Sequence, residues 1–168
     1  GNGGLVCSAS DGTSGEELWR SDGSEVGTVL VKDIYPAGNH ANPQNLTVMN
    51  GVLFFSANEG TNGAELWRSD GSEAGTTLVK DIHPGKAGSS PWELVIVNGT
   101  IYFGAYDDPH GEELWRSDGT NEGTRMVMDL DPGSFDSYPG YLTNVDGRLF
   151  FSANNSIFDD YYYYRILN

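Results

Sequence analysis

Charged side chains recur at three fixed positions along this chain, and they are residue types that bind polar or ionic ligands. Glu65, Arg68 and Asp81 form one set, and the same residues return 48 positions earlier and 48 positions later. Carboxylates and guanidinium groups make strong, charge-assisted hydrogen bonds. One interpretation is therefore three identical ligand sites. The charged positions are Glu17, Glu65 and Glu113, then Arg20, Arg68 and Arg116, then Asp33, Asp81 and Asp129.

A scaffold role is the alternative interpretation, and the neighbouring residues favour it. The charges share short segments with Trp and Leu, so they are more readily explained as packed than as offered to solvent. A partly buried Arg is normally paired, so we expect each Arg to meet an Asp or Glu of a neighbouring strand. The tryptophans of the same segments are expected to pack between repeats rather than to stack on sugars. They are Trp19, Trp67 and Trp115.

Catalytic signatures are missing from the sequence. It has no nucleophile elbow, no phosphate-binding loop and no zinc-protease helix. His40, His83 and His110 occupy three unrelated positions of the repeat, which argues against a zinc site. Acids repeated in every unit suggest architecture, since an active site is usually unique. We therefore predict a protein that is not an enzyme and has no cofactor, with calcium as the one ion that clustered acids allow. These acids are Asp107 and Asp108, Asp129 and Asp131, and Asp159 and Asp160.

The charged positions belong to a repeat with a period of 48 residues. The segment ELWRSDG occurs at 17–23, 65–71 and 113–119, and a Gly-Thr pair follows each copy. Self-similarity at a fixed period is the sequence signature of a repeat architecture. The repeat units run over 3–50, 51–98 and 99–146, with a partial unit at 147–168.

Each complete unit is expected to form four antiparallel strands. Apolar segments such as VLFFSAN, ELWRSD and TTLVKDI alternate with Gly, Asn and Asp, which favour chain reversals. A further apolar segment runs through Asn50-Gly51 into the next unit, and Asn-Gly is a strong hairpin signal. Two prolines in each connector mark a crossing outside the sheet. No segment has the apolar period of a helix longer than one turn.

This strand count predicts an all-β fold of antiparallel, four-stranded blades, as in a β-propeller. Neighbouring blades cover both faces of a blade, so its strands should be apolar on both sides, as Phe54 and Phe55 suggest. A solenoid or a sandwich is the alternative architecture. The chain holds about three and a half repeats, whereas closed propellers have roughly four to eight blades. We therefore expect either an incomplete propeller cut from a longer chain or copies that join.

The composition narrows the range of partners. A net charge of -15, from 24 acidic and 9 basic residues, opposes binding to nucleic acid and to anionic membranes. No apolar run approaches the 18 residues of a membrane-spanning helix. The single cysteine, Cys7, occupies the position that Phe55, Phe103 and Phe151 hold in the other units. We expect it to be a small buried hydrophobic residue rather than a nucleophile.

The segment ELWRSDG, with GTxLVKDI after it, resembles the ELWxxDGT repeat proteins, a bacterial family named for this motif. The resemblance covers residues 3–153, and seven identical residues recur three times. It implies a propeller-like fold and a secreted or cell-surface location, and it transfers no catalytic residue. The Thr of the family motif is Ser24 and Ser72 in the first two units and Thr120 in the third.

We therefore expect a non-enzymatic, extracellular structural or protein-interaction module. Its partners would be further copies of itself or the rest of a longer chain, or else glycans or matrix. A carbohydrate-binding propeller is the alternative, with Trp92, Tyr138 and Tyr141 as candidate ligand-binding aromatics. A glycan lyase or hydrolase is a less favoured third candidate.

Two further features carry expectations about the surface. Asn45, Asn98 and Asn154 begin glycosylation sequons, which makes them surface candidates if the source glycosylates exported proteins. Tyr161 to Tyr164 stand where the fourth unit should read ELW. They would form a capping strand or an adhesive tail, and the β propensity of Tyr favours the strand.

Overall fold

The computed structural model describes residues 4–155 and 163–167, and within them the protein is all-β. Aromatic residues occur in the corresponding apolar strand of the second, third and fourth repeats, as is typical of a pleated, buried surface. The strands are β1 (Leu5–Ser10), β2 (Glu16–Ser21), β3 (Val29–Lys32), β4 (Gln44–Met49), β5 (Val52–Asn58), β6 (Ala64–Ser69), β7 (Thr77–Lys80), β8 (Trp92–Val97), β9 (Thr100–Asp107), β10 (Gly111–Ser117), β11 (Arg125–Met128), β12 (Gly140–Val145), β13 (Arg148–Ala153) and β14 (Tyr163–Leu167).

The strands form four antiparallel sheets, each a meander in chain order. Sheet 1 is β1-β2-β3, sheet 2 is β4-β5-β6-β7, sheet 3 is β8-β9-β10-β11 and sheet 4 is β12-β13-β14. The predicted Asn-Gly hairpin is present, because Met49 pairs with Val52 across Asn50-Gly51. Asn50 and Gly51 have φ values of 52° and 80°, the left-handed pair that a two-residue hairpin turn requires.

Both faces of sheet 2 are buried against its neighbours, as the sequence predicts for a blade. Phe55 lies in an apolar cluster with Leu18 and Val31 of sheet 1. Phe54, on the opposite face of the same strand, lies in a cluster with Ile101 and other residues of sheet 3. We call the face that points to the preceding sheet the upstream face, represented by Phe55, and the other the downstream face, represented by Phe54.

The first strands of sheets 2, 3 and 4 lie side by side. Thr47 Oγ1 on β4 donates to Leu94 O on β8 at 3.2 Å, and Asn144 Nδ2 on β12 donates to Ile96 O on β8 at 2.8 Å. Each of these strands carries a register shift near its start. The sheets are therefore joined to one another by polar contacts along this inner edge as well as by their apolar faces.

Two sequence expectations need comment. Cys7 was expected to be buried, yet it is only partly buried, because no sheet among the described residues covers the upstream face of sheet 1. Of the tyrosine run, Tyr163 and Tyr164 belong to β14, whereas Tyr161 and Tyr162 lie outside the described residues. None of the described residues belongs to a helix able to cross a membrane.

Candidate functional site

The repeated glutamates are buried clamps that hold the connector after the third strand. Glu65 is completely buried on β6. Backbone N–H groups of Ile82, His83 and Ser89 donate to its carboxylate at 3.1, 3.0 and 2.9 Å, and Ser89 Oγ donates at 2.5 Å. Among the described residues, this connector pairs with a strand only through an isolated bridge between Gly88 and Ala64. The carboxylate therefore accepts hydrogen bonds that strand carbonyls would otherwise accept.

The other two copies of the clamp each lack one of these donors: Ser137 N–H donates to Glu112 O rather than to Glu113, and Glu17 has no hydroxyl donor. Glu113 accepts from the backbone of Leu130 and Asp131 and from Ser137 Oγ, the last at 2.7 Å. Glu17 accepts only backbone N–H groups, because Ala41 stands at the position of the two serines. Burial raises the pKa of all three glutamates, and the donated hydrogen bonds oppose that rise.

The SDG part of the motif, with the later Gly-Thr, is a turn that is closed by its own side chains. Asp70 Oδ1 accepts from the backbone N–H of Ser72 at 2.9 Å and from its hydroxyl at 2.6 Å. Ser72 Oγ in turn accepts from Gly75 N at 3.0 Å, and Thr76 Oγ1 donates to Ser72 O at 2.7 Å. The segment thus forms an Asx turn. The turn accounts for the alternation of Ser and Thr after Asp-Gly, since either hydroxyl makes these bonds.

Gly75 is required for a reason that spacing alone did not reveal. A Cβ at this position would overlap the Asp70 carboxylate, and the same holds at Gly27 with Asp22 and at Gly123 with Asp118. The three aspartates have lowered pKa values, chiefly because of the hydroxyl hydrogen bond from the following Ser or Thr.

The repeated arginines do not form the ion pairs that the sequence analysis predicts. No ion pair joins Arg20, Arg68 or Arg116 to a carboxylate within the part of the chain that the structure describes. Arg68 Nη1 instead donates to Gly119 O of sheet 3 at 3.2 Å. The expected pairing was wrong: the glutamates accept hydrogen bonds from the connectors instead. Among the described residues, Asp81 Oδ1 and Asp129 Oδ1 are buried without a hydrogen-bond partner.

The repeated tryptophans pack between sheets, as expected. Trp67 of sheet 2 lies in the cluster that Leu18 and Val31 of sheet 1 form, and Trp115 of sheet 3 lies against Phe54 of sheet 2. Both are 6% exposed, whereas Trp19 of sheet 1 is only partly buried. The difference follows from position, because no described residue lies on the upstream side of Trp19.

Side chains that do not repeat meet at the junction of sheets 2 and 3. His83 Nδ1 lies 3.0 Å from Gly88 O, and its Nε2 lies 3.2 Å from Asp108 Oδ1. Both ring nitrogens therefore face acceptors, and the hydrogen bond to Gly88 together with the Asp108 carboxylate raises the pKa of His83. Tyr106 packs edge-on to this ring at a centroid distance of 5.0 Å. The cluster links the connector of sheet 2 to the β9–β10 turn.

The three candidate ligand-binding aromatics are in different surroundings. Trp92 packs over Gly104, where a Cβ would overlap its ring, and its Nε1 donates to Pro139 O at 3.1 Å. Trp92 therefore joins sheet 3 to the start of sheet 4. Tyr138 and Tyr141 are exposed near the start of β12.

The sequon asparagines differ in how free their side chains are. Asn45 Nδ2 donates to Pro91 O at 3.1 Å and Asn98 Nδ2 donates to Gly147 O at 2.8 Å, so both amides bridge to the next sheet. Asn154 lies just after β13 and its backbone N–H donates to Ser137 O. Attachment of a glycan at Asn45 or Asn98 would break a bond between sheets.

Among residues 4–155 and 163–167, no group of three or more His, Cys, Asp or Glu side chains is placed to hold a metal ion. Asp107 receives hydrogen bonds from the backbone and ring of His110 instead. Of the acids considered for calcium, Asp159 and Asp160 lie outside the described residues. The calcium expectation therefore stays a prediction.

One face of sheet 1 differs most from its counterparts. Leu5 is 63% exposed, whereas the same position in sheets 2, 3 and 4 is at most 7% exposed. Cys7, Ala9 and Trp19 on this face are likewise only partly buried. Their buried counterparts are Leu53, Phe55, Ala57 and Trp67 in sheet 2. Sheet 1 thus has an apolar face that no sheet of the described residues covers, whereas sheets 2, 3 and 4 bury the equivalent face.

Comparison with solved structures supports the fold. The chain is similar to part of a prolyl endopeptidase, a propeller-like neighbour, with a TM-score of 0.53 and 14% sequence identity, over 89% of this chain. The chain spans 21% of the length of that protein. No protein-family model matches the chain, and no curated protein matches it by sequence. At this identity the similarity concerns the fold alone.

Proposed function

We propose that this chain is a non-enzymatic, extracellular structural or protein-interaction module built as an incomplete β-propeller of about three and a half 48-residue blades. Four antiparallel sheets that stack face to face, with the first strands of sheets 2, 3 and 4 adjacent, support the propeller arrangement. The extracellular location rests on the resemblance to the ELWxxDGT repeat proteins.

The observation that carries the proposal is the uncovered upstream face of sheet 1. Leu5 and Trp19 occupy positions that are buried in the next two sheets, and no described part of the chain covers them. An exposed apolar patch of this kind, bordered by polar turns, is typical of a protein–protein contact surface. By contrast, the buried glutamates are hydrogen-bonded to the connectors, the turn aspartate Asp70 is hydrogen-bonded to Ser72, and Trp67 and Trp115 pack between sheets.

A carbohydrate-binding module remains the second candidate because Tyr138 and Tyr141, three positions apart in the sequence, are both exposed. Exposed tyrosines can stack on sugar rings. Trp92 contributes less to this candidate than the sequence suggests, since its ring packs on Gly104 and its Nε1 is hydrogen-bonded.

The two candidates are separated by measuring protein association and glycan binding on the same chain. We expect light scattering to show association that falls at least about tenfold in affinity in the Trp19→Arg variant, because a charge would be placed in a desolvated apolar contact. We expect no glycan-array signal that is lost in Tyr141→Ala. A chain that stays monomeric and binds a glycan through Tyr141 would refute the proposal, as would turnover of a peptide or glycoside substrate.

A further inference from the structure

We propose that His83 and Asp108 form a proton-controlled latch between sheets 2 and 3. The protonated imidazole of His83 holds the turn between β9 and β10 against the connector between β7 and β8, and the neutral imidazole releases that turn. Neither residue recurs at the equivalent positions of the other repeats. The latch concerns how two sheets are joined, so it is independent of the proposed function.

Both ring nitrogens of His83 face oxygen atoms that accept hydrogen bonds. Nδ1 lies 3.0 Å from Gly88 O, and Nε2 lies 3.2 Å from Asp108 Oδ1. A neutral imidazole carries one N–H and a protonated imidazole carries two, whereas a carbonyl and an ionised carboxylate can only accept. The protonated ring is therefore the form that donates to both oxygens at once.

The two acceptors differ in how readily water can replace the ring. His83 is 8% exposed and Gly88 is buried, whereas the side chain of Asp108 is 78% exposed. A buried carbonyl that loses its donor stays unsatisfied, at a cost in free energy that an exposed carboxylate avoids by binding water. Loss of the second ring proton should therefore keep the bond from Nδ1 to Gly88 and break the contact of Nε2 with Asp108.

The pKa of His83 lies above its ordinary value of about 6.5. The hydrogen bond to Gly88 O is the largest cause, burial of the ring opposes it, and the carboxylates of Asp108 and Glu65 add to the rise. Glu65 also accepts the backbone N–H of His83 at 3.0 Å. The contribution of the latch is therefore complete below about pH 6.5 and is lost as the pH rises through the higher folded pKa.

The other titratable groups beside the ring differ from it in charge or position. Tyr106 packs edge-on to the ring, and its hydroxyl donates to Asp108 Oδ1 at 3.3 Å. Burial and the nearby carboxylates raise the pKa of Tyr106 above 10, so it stays neutral while the latch titrates. Asp107 lies 2.9 Å from Nδ1 of His110, and Lys86 in the connector is exposed. His110 is thus a second imidazole in the same turn, and the test separates the two.

The equivalent joint between sheets 1 and 2 lacks an imidazole and a carboxylate. Tyr35 stands 48 positions before His83, and Gly60 stands 48 positions before Asp108. Tyr35 packs so closely on Gly60 that a Cβ at the glycine would overlap its ring. This joint is a contact between a ring and the backbone, so it serves as a reference within the same chain.

Two backbone amides report on the two joints separately. The N–H of Tyr106 donates to Ser89 O at 2.9 Å, between β9 and the connector that carries His83. The N–H of Asn58 donates to Ala41 O at 2.9 Å, which is the same bond one repeat earlier. Release of the β9–β10 turn loosens the end of β9, so exchange of the Tyr106 amide with solvent should respond to the latch and exchange of the Asn58 amide should not.

Nuclear magnetic resonance of the full 168-residue chain tests the latch between about pH 5 and pH 9. The His83 ring should titrate above about 6.5, and its neutral form should carry the proton on Nδ1. Asp108→Ala should lower this pKa, because it removes the acceptor and its charge from an exposed position. Asp146→Asn is the control for charge, since Asp146 is exposed in a hairpin where two other repeats have Asn, and it should leave the titration unchanged.

Hydrogen exchange, corrected for the intrinsic effect of pH, measures the opening of the joint. The protection of the Tyr106 amide should fall about threefold or more as the pH rises through the pKa of His83, and that of the Asn58 amide should stay constant. The fall should persist in His110→Gln, which removes the second imidazole, and disappear in Asp108→Ala.

Three results would each overturn the latch. A neutral His83 ring with its proton on Nε2 would preserve the bond to Asp108 and break the one to Gly88. A fall in Tyr106 protection that is the same in wild type and Asp108→Ala would place the proton-sensitive group elsewhere. Protection of Tyr106 that does not change with pH in wild type would show that the joint stays closed.

Discussion

At the scale of single residues, the carboxylate of Glu65 shows why recurrence alone misleads about chemistry. Its position suggested either a ligand site or an ion pair with Arg, but all of its partners are donors within the connector that begins after β7. The sequence correctly favours a scaffold role for this residue. It could not identify the partners, because backbone N–H groups are present at every position and leave no mark in the sequence.

Replacing Glu65 with Gln should destabilise the protein by about 2 to 4 kcal/mol, because one acceptor oxygen becomes an NH₂ group facing buried donors. Urea unfolding measures the change. Glu73→Gln is the matched control, since Glu73 is exposed in the β6–β7 turn, and we expect it to change stability by less than about 0.5 kcal/mol. Equal effects in the two variants would show that Glu65 is not a clamp.

Ser89→Ala should cost about 1 to 3 kcal/mol, because it removes a buried hydroxyl that donates to Glu65. The reverse change, Ala41→Ser in the first repeat, should add the missing hydroxyl donor near Glu17 and cost little or stabilise the protein. Thermal unfolding of the two variants checks the pair. A Ser89→Ala variant that is more stable than wild type would contradict the role of the Ser89 hydroxyl as a donor to Glu65.

The stability of the protein should be greatest in mildly acidic solution and fall toward pH 8. The glutamates with raised pKa values contribute stability that is complete below about 4.5, their ordinary value, and is lost as the pH rises through the higher folded pKa. The raised pKa of His83 likewise contributes stability that is complete below about pH 6.5 and is lost as the pH rises through its higher folded pKa. Asp22, Asp70 and Asp118 have lowered pKa values, so their contribution is present above 3.8 and lost as the pH falls.

Unfolding between pH 3 and pH 8 at fixed ionic strength measures this profile. Repetition in about 1 M sodium chloride separates the buried glutamates from the general repulsion of a -15 chain, since salt screens exposed charges much more than buried ones. A stability that increases steadily from pH 5 to pH 8 in high salt would rule out the explanation.

At the scale of elements, the strands and hairpins follow from the sequence more closely than the burial of individual side chains does. Alternating apolar faces and Asn-Gly turns correctly predict β5 and its pairing with β4. The burial of Cys7 was misjudged because a preceding sheet covers the equivalent position in the other repeats. Burial of a side chain depends on the neighbouring sheets as well as on its own strand. The role of Trp92 was also hidden, since its partner Gly104 lies on the adjacent strand.

Trp67→Ala should destabilise the protein by about 3 to 5 kcal/mol, because it opens a cavity between sheets 1 and 2. In the monomer, Trp19→Ala should lower the free energy of unfolding by less than half as much as Trp67→Ala, because no sheet among the described residues lies on the upstream side of Trp19. Unfolding at protein concentrations below the onset of association provides the comparison. If both changes cost the same, the upstream face of sheet 1 is covered by some other part of the chain.

At the scale of the whole molecule, the meander order of every sheet has a consequence for how the chain reaches its native state. Each strand pairs with its immediate neighbour in the sequence, so a sheet closes through short loops at little entropic cost. Nucleation can then begin in any sheet and spread along the stack. Removing one internal 48-residue unit should give a shorter stack of sheets that still unfolds in a cooperative transition. Duplication of a single unit would then be a workable route by which such a gene lengthens.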